Sequence, residues 1–492
     1  MAFWYSKKQV ENKIESYKLG YLIEGGYDSK NNCAILTFLD PQTQETFIWR
    51  DTTGHLSYLY TDAPKDKAKE LLGDRVEEVR EDLKYNSITD KYVNLTKVLS
   101  KVPTDIGGDS SDAFRNILSS YGHNVWEAWI RYHNSYCYDK GLEYGMPYLV
   151  FKDRIAPYST PQNKNRASYV YNLLIGVGAE DSDALIHFIK LFETEMPVIS
   201  FVSIDIEVLP SQENLVPDPK FPNEQVICIS LVDSKGKRTV LILQRDEGEA
   251  PKIVIPNADI RFFTSELVMM EVCMGIIEKY PVVVTFNGDS FDVSYMFNRM
   301  VKLGGNRFNI PFYLHKMKDE ATYKKGVHLD IYHFFKNKSI QTYAFKGEYK
   351  RYGLDDISEA LIKKKKIHLD KPMGYLTYQE LAEYCLNDSM LTTELMTYNN
   401  NMVMNLIITI CRMSNLTMSQ VCRSKISVWT RSTFYYFHRM KNILIPSQEE
   451  LVRKGGTQTE AGIKGKKYKG AIVKDIAKAG ARFNVVVADF AS

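Results

Sequence analysis

The reading of this sequence turns on Val198-Ile199-Ser200-Phe201-Val202-Ser203-Ile204-Asp205-Ile206-Glu207-Val208. Its apolar, β-branched run predicts a central strand buried on both faces. Asp205 and Glu207 stand two residues apart, so both side chains leave the strand on one face. Two adjacent carboxylates on a buried strand repel each other and are costly to desolvate. They become tolerable if cations sit between them. This stretch alone also allows a strand end at which the acids escape into water.

Two further places bear on that choice. The short apolar strand Val282–Phe286 runs into Asn287-Gly288-Asp289-Ser290-Phe291-Asp292. A carboxylate therefore lies where strand turns into helix, although Asp there also suits a helix N-cap. The helix it opens stops at Gly304-Gly305. Further on, Thr377-Tyr378-Gln379-Glu380 has capping-box spacing and opens a long helix reaching about Tyr398. Tyr384 and Asp388 are four residues apart on it, hence on one helix face; an exposed polar stripe is the alternative. Between these places, Val226–Val232 and Arg238–Leu243 flank a turn containing Gly236 and predict a hairpin. A helix is predicted from Ser265 to Pro281, with Leu267, Met270, Met274 and Ile277 on one face.

The chain has 492 residues, 44% of them hydrophobic and 25% charged, which excludes collagen-like, mucin-like and wholly disordered classes. Its length predicts about three domains. Lys and Arg number 63 against 60 Asp and Glu, a balance that neither demands nor excludes nucleic acid. Seven cysteines without a Cys-x-x-Cys pattern suggest reduced thiols and a cytoplasmic location. The best membrane-span candidate, Met402 to Met413, is short and contains Asn405, Thr409 and Arg412, so no membrane partner is expected. The first ~190 residues read as mixed α and β, with strands around 21–24, 34–39 and 46–50 and helices around 66–72 and 113–120.

In order, Asp205-x-Glu207, Asn287-x-x-x-Phe291-Asp292 and Tyr384-x-x-x-Asp388 resemble the 3′–5′ exonuclease motifs of family B DNA polymerases. The segments His328–Tyr332 and Leu354–Leu361 are similar to family segments between the second and third motifs. Trp49–His55 and Tyr136–Leu142 are similar to the N-terminal domain of archaeal members. The resemblance implies a mixed α/β fold: an N-terminal domain over 1–193, then a ribonuclease-H-like exonuclease over 194–398. A helical segment over 399–440 would return to the N-terminal domain, and 441–492 would begin a palm. It also implies two Mg²⁺ or Mn²⁺ ions, with Asp205 bridging both, Glu207 and Asp388 on the water-activating ion and Asp292 on the leaving-group ion. Tyr384 would orient the water, while Asn287 and Phe291 would contact a frayed 3′ end. Phosphodiester hydrolysis calls for this kind of donor set, since hard oxygen ligands suit Mg²⁺ and no His/Cys cluster points to zinc. Asp330 reads as structural, Asp289 as a loop residue, and Lys363–Lys366 as a solvated face or a strip along DNA.

Near the end of the sequence, Lys464, Lys466, Lys467, Tyr468, Lys469 and Gly470 resemble the family's Tyr-x-Gly-Gly segment, which contacts template phosphates; Ala471 replaces the second Gly. A flexible basic linker is the alternative. Val485–Asp489 resembles the start of polymerase motif A, where Asp489 would bind catalytic metal. One such acid cannot assemble a polymerase site. The expectation is a chain that proofreads primer-template DNA and single-stranded 3′ ends in the nucleoid, and extends primers only with a C-terminal polymerase chain or spliced remainder. An inactive DNA-binding scaffold subunit and a free-standing repair exonuclease are the competing readings. The complete acid set disfavours the first, and the basic segment and motif A fragment disfavour the second.

Overall fold

The structure, a computed structural model, describes residues 16–159, 172, 182–212, 216–245, 253–315 and 319–453. Its centre is a six-stranded sheet made of β1 (Phe201–Val208), β2 (Val226–Asp233), β3 (Arg238–Leu243), β4 (Ala258–Phe263), β5 (Val282–Thr285) and β6 (Val327–Asp330). The spatial order is β4-β3-β2-β1-β5-β6. β1 runs antiparallel to β2 and parallel to β5, and β5 runs parallel to β6. This is the ribonuclease-H-like arrangement, with an extra strand at one edge. The expected β2–β3 hairpin is present, and Gly236 takes φ +86° in its turn, a conformation that favours glycine.

Both faces of the sheet are covered, which is why β1 lacks a simple polar alternation. Val202, Ile204, Ile206 and Val208 pack against α1 (Glu266–Ile277) and α2 (Asp292–Lys302) through Met270, Met274, Ile277, Met296 and Met300. Behind the sheet, Ile227, Cys228, Val240 and Ile242 meet Leu381, Ala382, Cys385 and Leu386 of a long helix. Three short helices lead to that helix and away from it: α3 (Ile331–Lys336), α4 (Leu354–Ile362) and, beyond the long α5 (Tyr378–Ser414), α6 (Met418–Arg423). The capping box forms as read: Thr377 N–H donates to Glu380 Oε2 at 2.7 Å, and Glu380 N–H to Thr377 Oγ1 at 3.2 Å. α5 bends at Tyr398–Asn401, where Asn399, Asn400 and Asn401 have φ of +46°, +58° and +61°. Asparagine enters the left-handed region at lower cost than other non-glycine residues.

Residues before 160 form two sheets. One has five strands, with Lys18–Asp28 between Cys33–Leu39 and Pro147–Val150. The other has four and contains the long hairpin Glu78–Asn86/Lys91–Ser100, which the sequence reading did not resolve. Glu78, Arg80, Glu81 and Lys91 are exposed along it, so its apolar signal is weak. After the bend, α5, α6 and α7 (Ile426–Met440) pack back onto this region. Asn415 Nδ2 donates to Leu142 O at 2.8 Å, and the Tyr138 and Ser432 hydroxyls lie 2.6 Å apart. Arg439 pairs with Glu127 at 2.6 Å and with Asp139 at 2.7 Å. Among the described residues, no helix is long and apolar enough to cross a membrane.

Arg412, the cation inside the apolar run 402–413, joins these parts. It is 2% exposed and donates to the carbonyls of Gly145, Leu191, Thr194 and Glu195 at 2.7–3.0 Å. Burial lowers its pKa to about 10. Arg412→Met would leave these carbonyls without their donors and should cost about 3–5 kcal/mol, measured by urea unfolding. A loss below about 1 kcal/mol, the scale of one ordinary hydrogen bond, would contradict this role.

Candidate active site

β1 delivers Asp205 and Glu207 toward α5, and their antiparallel partners on β2 are Ser230 and Cys228. Asp292 comes from the opposite side of the sheet. It does not cap α2: the N-cap residue is Phe291, and no side chain caps that end. Instead Asp292 Oδ1 accepts from Ile206 N–H at 3.2 Å, which ties the start of α2 to β1 between the two acids. Tyr384 and Asp388 enter from the first half of α5, with Asp388 only 3% exposed.

The electrostatics register this crowding. Burial, then the charges of Asp388, Asp292 and Glu207, push the Asp205 pKa well above the usual carboxylate range. Glu207 is raised well above its usual range by burial and Asp388. Asp292 is pushed up to about 7 by burial, with Asp330 and Asp388 adding. The Tyr384 phenol is pushed up to about 12 by burial and then Glu207, so near neutral pH it remains protonated.

The loop before Asp292 is held from beneath. Asn287 adopts φ +71°, and its N–H donates to Asp330 Oδ1 at 2.8 Å. Asp289 N–H donates to Asp330 Oδ2 at 3.0 Å, and Tyr332 N–H to Asp330 Oδ1 at 3.1 Å, capping α3. Asp330 therefore organises backbone, as read. Phe291 is half-buried, its ring 5.6 Å from that of Tyr295. Asp289 is more than a loop residue. Its carboxylate is fully buried and takes a two-point contact from Arg423 of α6, at 2.6 and 2.9 Å, plus Ala321 N–H at 2.8 Å.

The lysine run also departs from the solvated-face reading at one position. Lys363 turns the chain at the end of α4 with φ +58°, and Lys366 swings inward to place Nζ 2.5 Å from Asp388 Oδ2. Lys364 and Lys365 pair with Glu394 and Glu359 in more exposed positions. Lys366 and Arg423 are the charged residues of this region that sequence reasoning missed. The i, i+3 and i, i+4 spacings that expose helix contacts say nothing about a lysine reaching across 22 residues or an arginine across 134.

Donor atoms of Asp205, Glu207 and Cys385 all lie within 4.8 Å of one another. Asp388 Oδ1 is buried without a hydrogen-bond partner. These acids, repelling and under-satisfied, suit a metal ion. A second cluster, Asp289, Asp330 and His333, has similar spacing, but backbone N–H groups and Arg423 already engage its carboxylates. Lys464, Lys466, Lys467, Tyr468, Lys469, Gly470 and Asp489 lie outside the described residues.

Strand order and converging acids define a ribonuclease-H-like domain with an acidic site. Residues 123–356 match the family described as DNA polymerase family B, exonuclease domain. By sequence this stretch is similar to family B DNA polymerase exonuclease domains, and the similarity to DNA polymerases continues over most of the chain. It is 34% identical to DNA polymerase 1 of Sulfolobus acidocaldarius over 98% of this chain and 54% of that protein. It is 35% identical to DNA polymerase 1 of Aeropyrum pernix over 97% of this chain and 50% of that protein. The chain thus spans about half the length of these curated relatives. The structure of the family B DNA polymerase from Pyrobaculum calidifontis shares the fold, with a TM-score of 0.64 at 16% identity, covering 87% of this chain and 51% of that one.

Arg423→Ala strands a buried carboxylate and should destabilise the protein by about 3–5 kcal/mol. Adding Asp289→Asn to it should recover part of the loss in urea unfolding, and a double variant less stable than Arg423→Ala would refute the anchor. With chelator present, the folded Asp292 holds its proton up to about pH 7, whereas the unfolded group releases it near about 4. The folded state then binds more protons across that window, so the melting temperature should fall as pH rises through it. Asp292→Asn should flatten the slope, and a melting temperature that climbs through the window would contradict the assignment.

Proposed function

We propose that this chain hydrolyses the 3′-terminal phosphodiester of DNA, acting as the proofreading part of a DNA polymerase. The observation that carries the reading is the convergence of Asp205, Glu207, Asp292 and Asp388 around the end of β1, beside a protonated Tyr384. Two bound Mg²⁺ or Mn²⁺ ions would supply charge neutralisation of the transition state and hydroxide near neutral pH. In this reading Asp205 would be shared by the ions, Glu207 and Asp388 would serve water activation, and Asp292 the leaving-group side. All four are oxygen donors, which favours these hard cations over zinc.

The remaining residues orient and exclude. Tyr384 positions the attacking water by hydrogen bonding; its phenol, pushed up to about 12, stays protonated near neutral pH and so cannot take the water's proton. Lys366 fixes one oxygen of Asp388 and leaves the other free. Asn287, set by its unusual backbone angle, and the half-buried ring of Phe291 face the frayed 3′ end, with base stacking worth ~1–3 kcal/mol. The substrates are single-stranded 3′ ends and primer-template DNA. Lys464, Lys466, Lys467, Tyr468, Lys469 and Gly470 would add phosphate contacts, which are salt-dependent. Primer extension, with Asp489 as one metal ligand, is assigned to the whole protein.

The test is release of nucleotides from a 3′-labelled single strand in Mg²⁺. Asp205→Ala/Glu207→Ala should lower the rate by about 10²–10³-fold or more while remaining folded by circular dichroism. Equal rates would sink the site assignment, and no hydrolysis by the wild type would favour a binding role.

A further inference from the structure

Cys385 occupies the position after Tyr384 and three before Asp388, which places it on the same side of α5 as Asp388. It is fully buried, and its thiol points at β1, 3.7 Å from the carbonyl oxygen of Asp205. A second buried thiol, Cys228, sits opposite Glu207 on β2. Neither thiol has a part in hydrolysis supported by Mg²⁺, which takes oxygen ligands.

We infer that Asp205, Glu207 and Cys385 form a second, inhibitory metal mode of this site, selective for soft divalent cations such as Zn²⁺ or Cd²⁺. The donor atoms lie within 4.8 Å of one another. Zinc bonds of about 2.3 Å to sulfur and 2.0–2.2 Å to carboxylate oxygen, at tetrahedral angles, set the donors about 3.3–3.7 Å apart. Donors within 4.8 Å reach that spacing by closing up to about 1–1.5 Å, through rotation of the carboxylate and thiol side chains. Asp388 stands outside that set of three, but its buried Oδ1, one turn along the same helix, has no hydrogen-bond partner. As the sulfur–metal bond forms, the thiol releases its proton to solvent, and nothing is oxidised or reduced. Thiolate strongly favours the softer ion. An ion held this way occupies the two β1 carboxylates that hydrolysis needs, so binding stops the nuclease; this consequence, unlike the binding itself, rests on the proposed exonuclease reading.

Titration of the whole chain with Cd²⁺, without DNA, tests binding directly. A sulfur-to-cadmium charge-transfer band in the ultraviolet should rise to one equivalent in the wild type and be lost in Cys385→Ser and Cys385→Ala. A Cys273→Ser control, in the core on the other side of the sheet, should keep the band. Nuclease rates in Mg²⁺ with added Cd²⁺, each normalised to the same variant without Cd²⁺, should show half-inhibition moved upward by about 10- to 100-fold in Cys385→Ser. A band that survives in both folded Cys385 variants, or no band in the wild type, overturns the inference. Absence of Mg²⁺-supported hydrolysis in the wild type would instead count against the exonuclease reading, and the band would still decide this one.

Discussion

Mutual repulsion among four carboxylates at the end of one buried strand is the constraint that the rest of this structure serves. Asp205, Glu207, Asp292 and Asp388 are brought together with Lys366 as the cation contacting one of them. Desolvating such a group works against folding, since each charge loses its hydration and meets its own sign. The surrounding elements offset this. β1 is hydrogen-bonded on both sides, its even-numbered residues bury in an apolar core, and the helix carrying Asp388 begins in a reciprocal cap. Asp205 and Glu207 are held in place by a scaffold of strand pairing and apolar packing, as expected of a site whose acids are kept for chemistry rather than stability.

The support is not confined to the sheet. Asp330 holds the loop before Asp292 through three backbone N–H groups, and Arg423 clamps Asp289 in that same loop. Arg423 belongs to α6, beyond the bend in α5, in the part of the chain packed on the N-terminal sheets. Arg412 fastens the same region through four carbonyls. Both use a planar guanidinium to satisfy several acceptors at once, which a lysine could not match. The position of Asp292 therefore depends on residues far outside the ribonuclease-H-like sheet.

Much of this was legible in the sequence, for identifiable reasons. Strand period placed Asp205 and Glu207 on one face, helix period paired Tyr384 with Asp388, and the Thr377 cap marked where α5 begins. These are local rules, and the local chain obeyed them. Spacing alone leaves Asp292 open to an N-cap role, since strand-to-helix junctions commonly use Asp that way; its bond to Ile206 N–H depends on sheet pairing, which spacing does not encode. Lys366 was hidden within a charge run, since only the left-handed turn at Lys363 distinguishes its direction from that of its neighbours. The edge strand Ala258–Phe263 has an intermediate burial pattern with no alternation to read.

The same contrast applies to Cys385, beside Tyr384. In sequence it is one more apolar residue on the buried side of a helix, a common place for cysteine. Only the fold shows that the strand under that face carries Asp205 and Glu207. A serine would pack there with similar volume and offer an oxygen, whereas sulfur changes which cations the cluster can hold. Hardness of the donor set, not its charge alone, thus sets the metal selectivity of this site, and one helix position is enough to alter it.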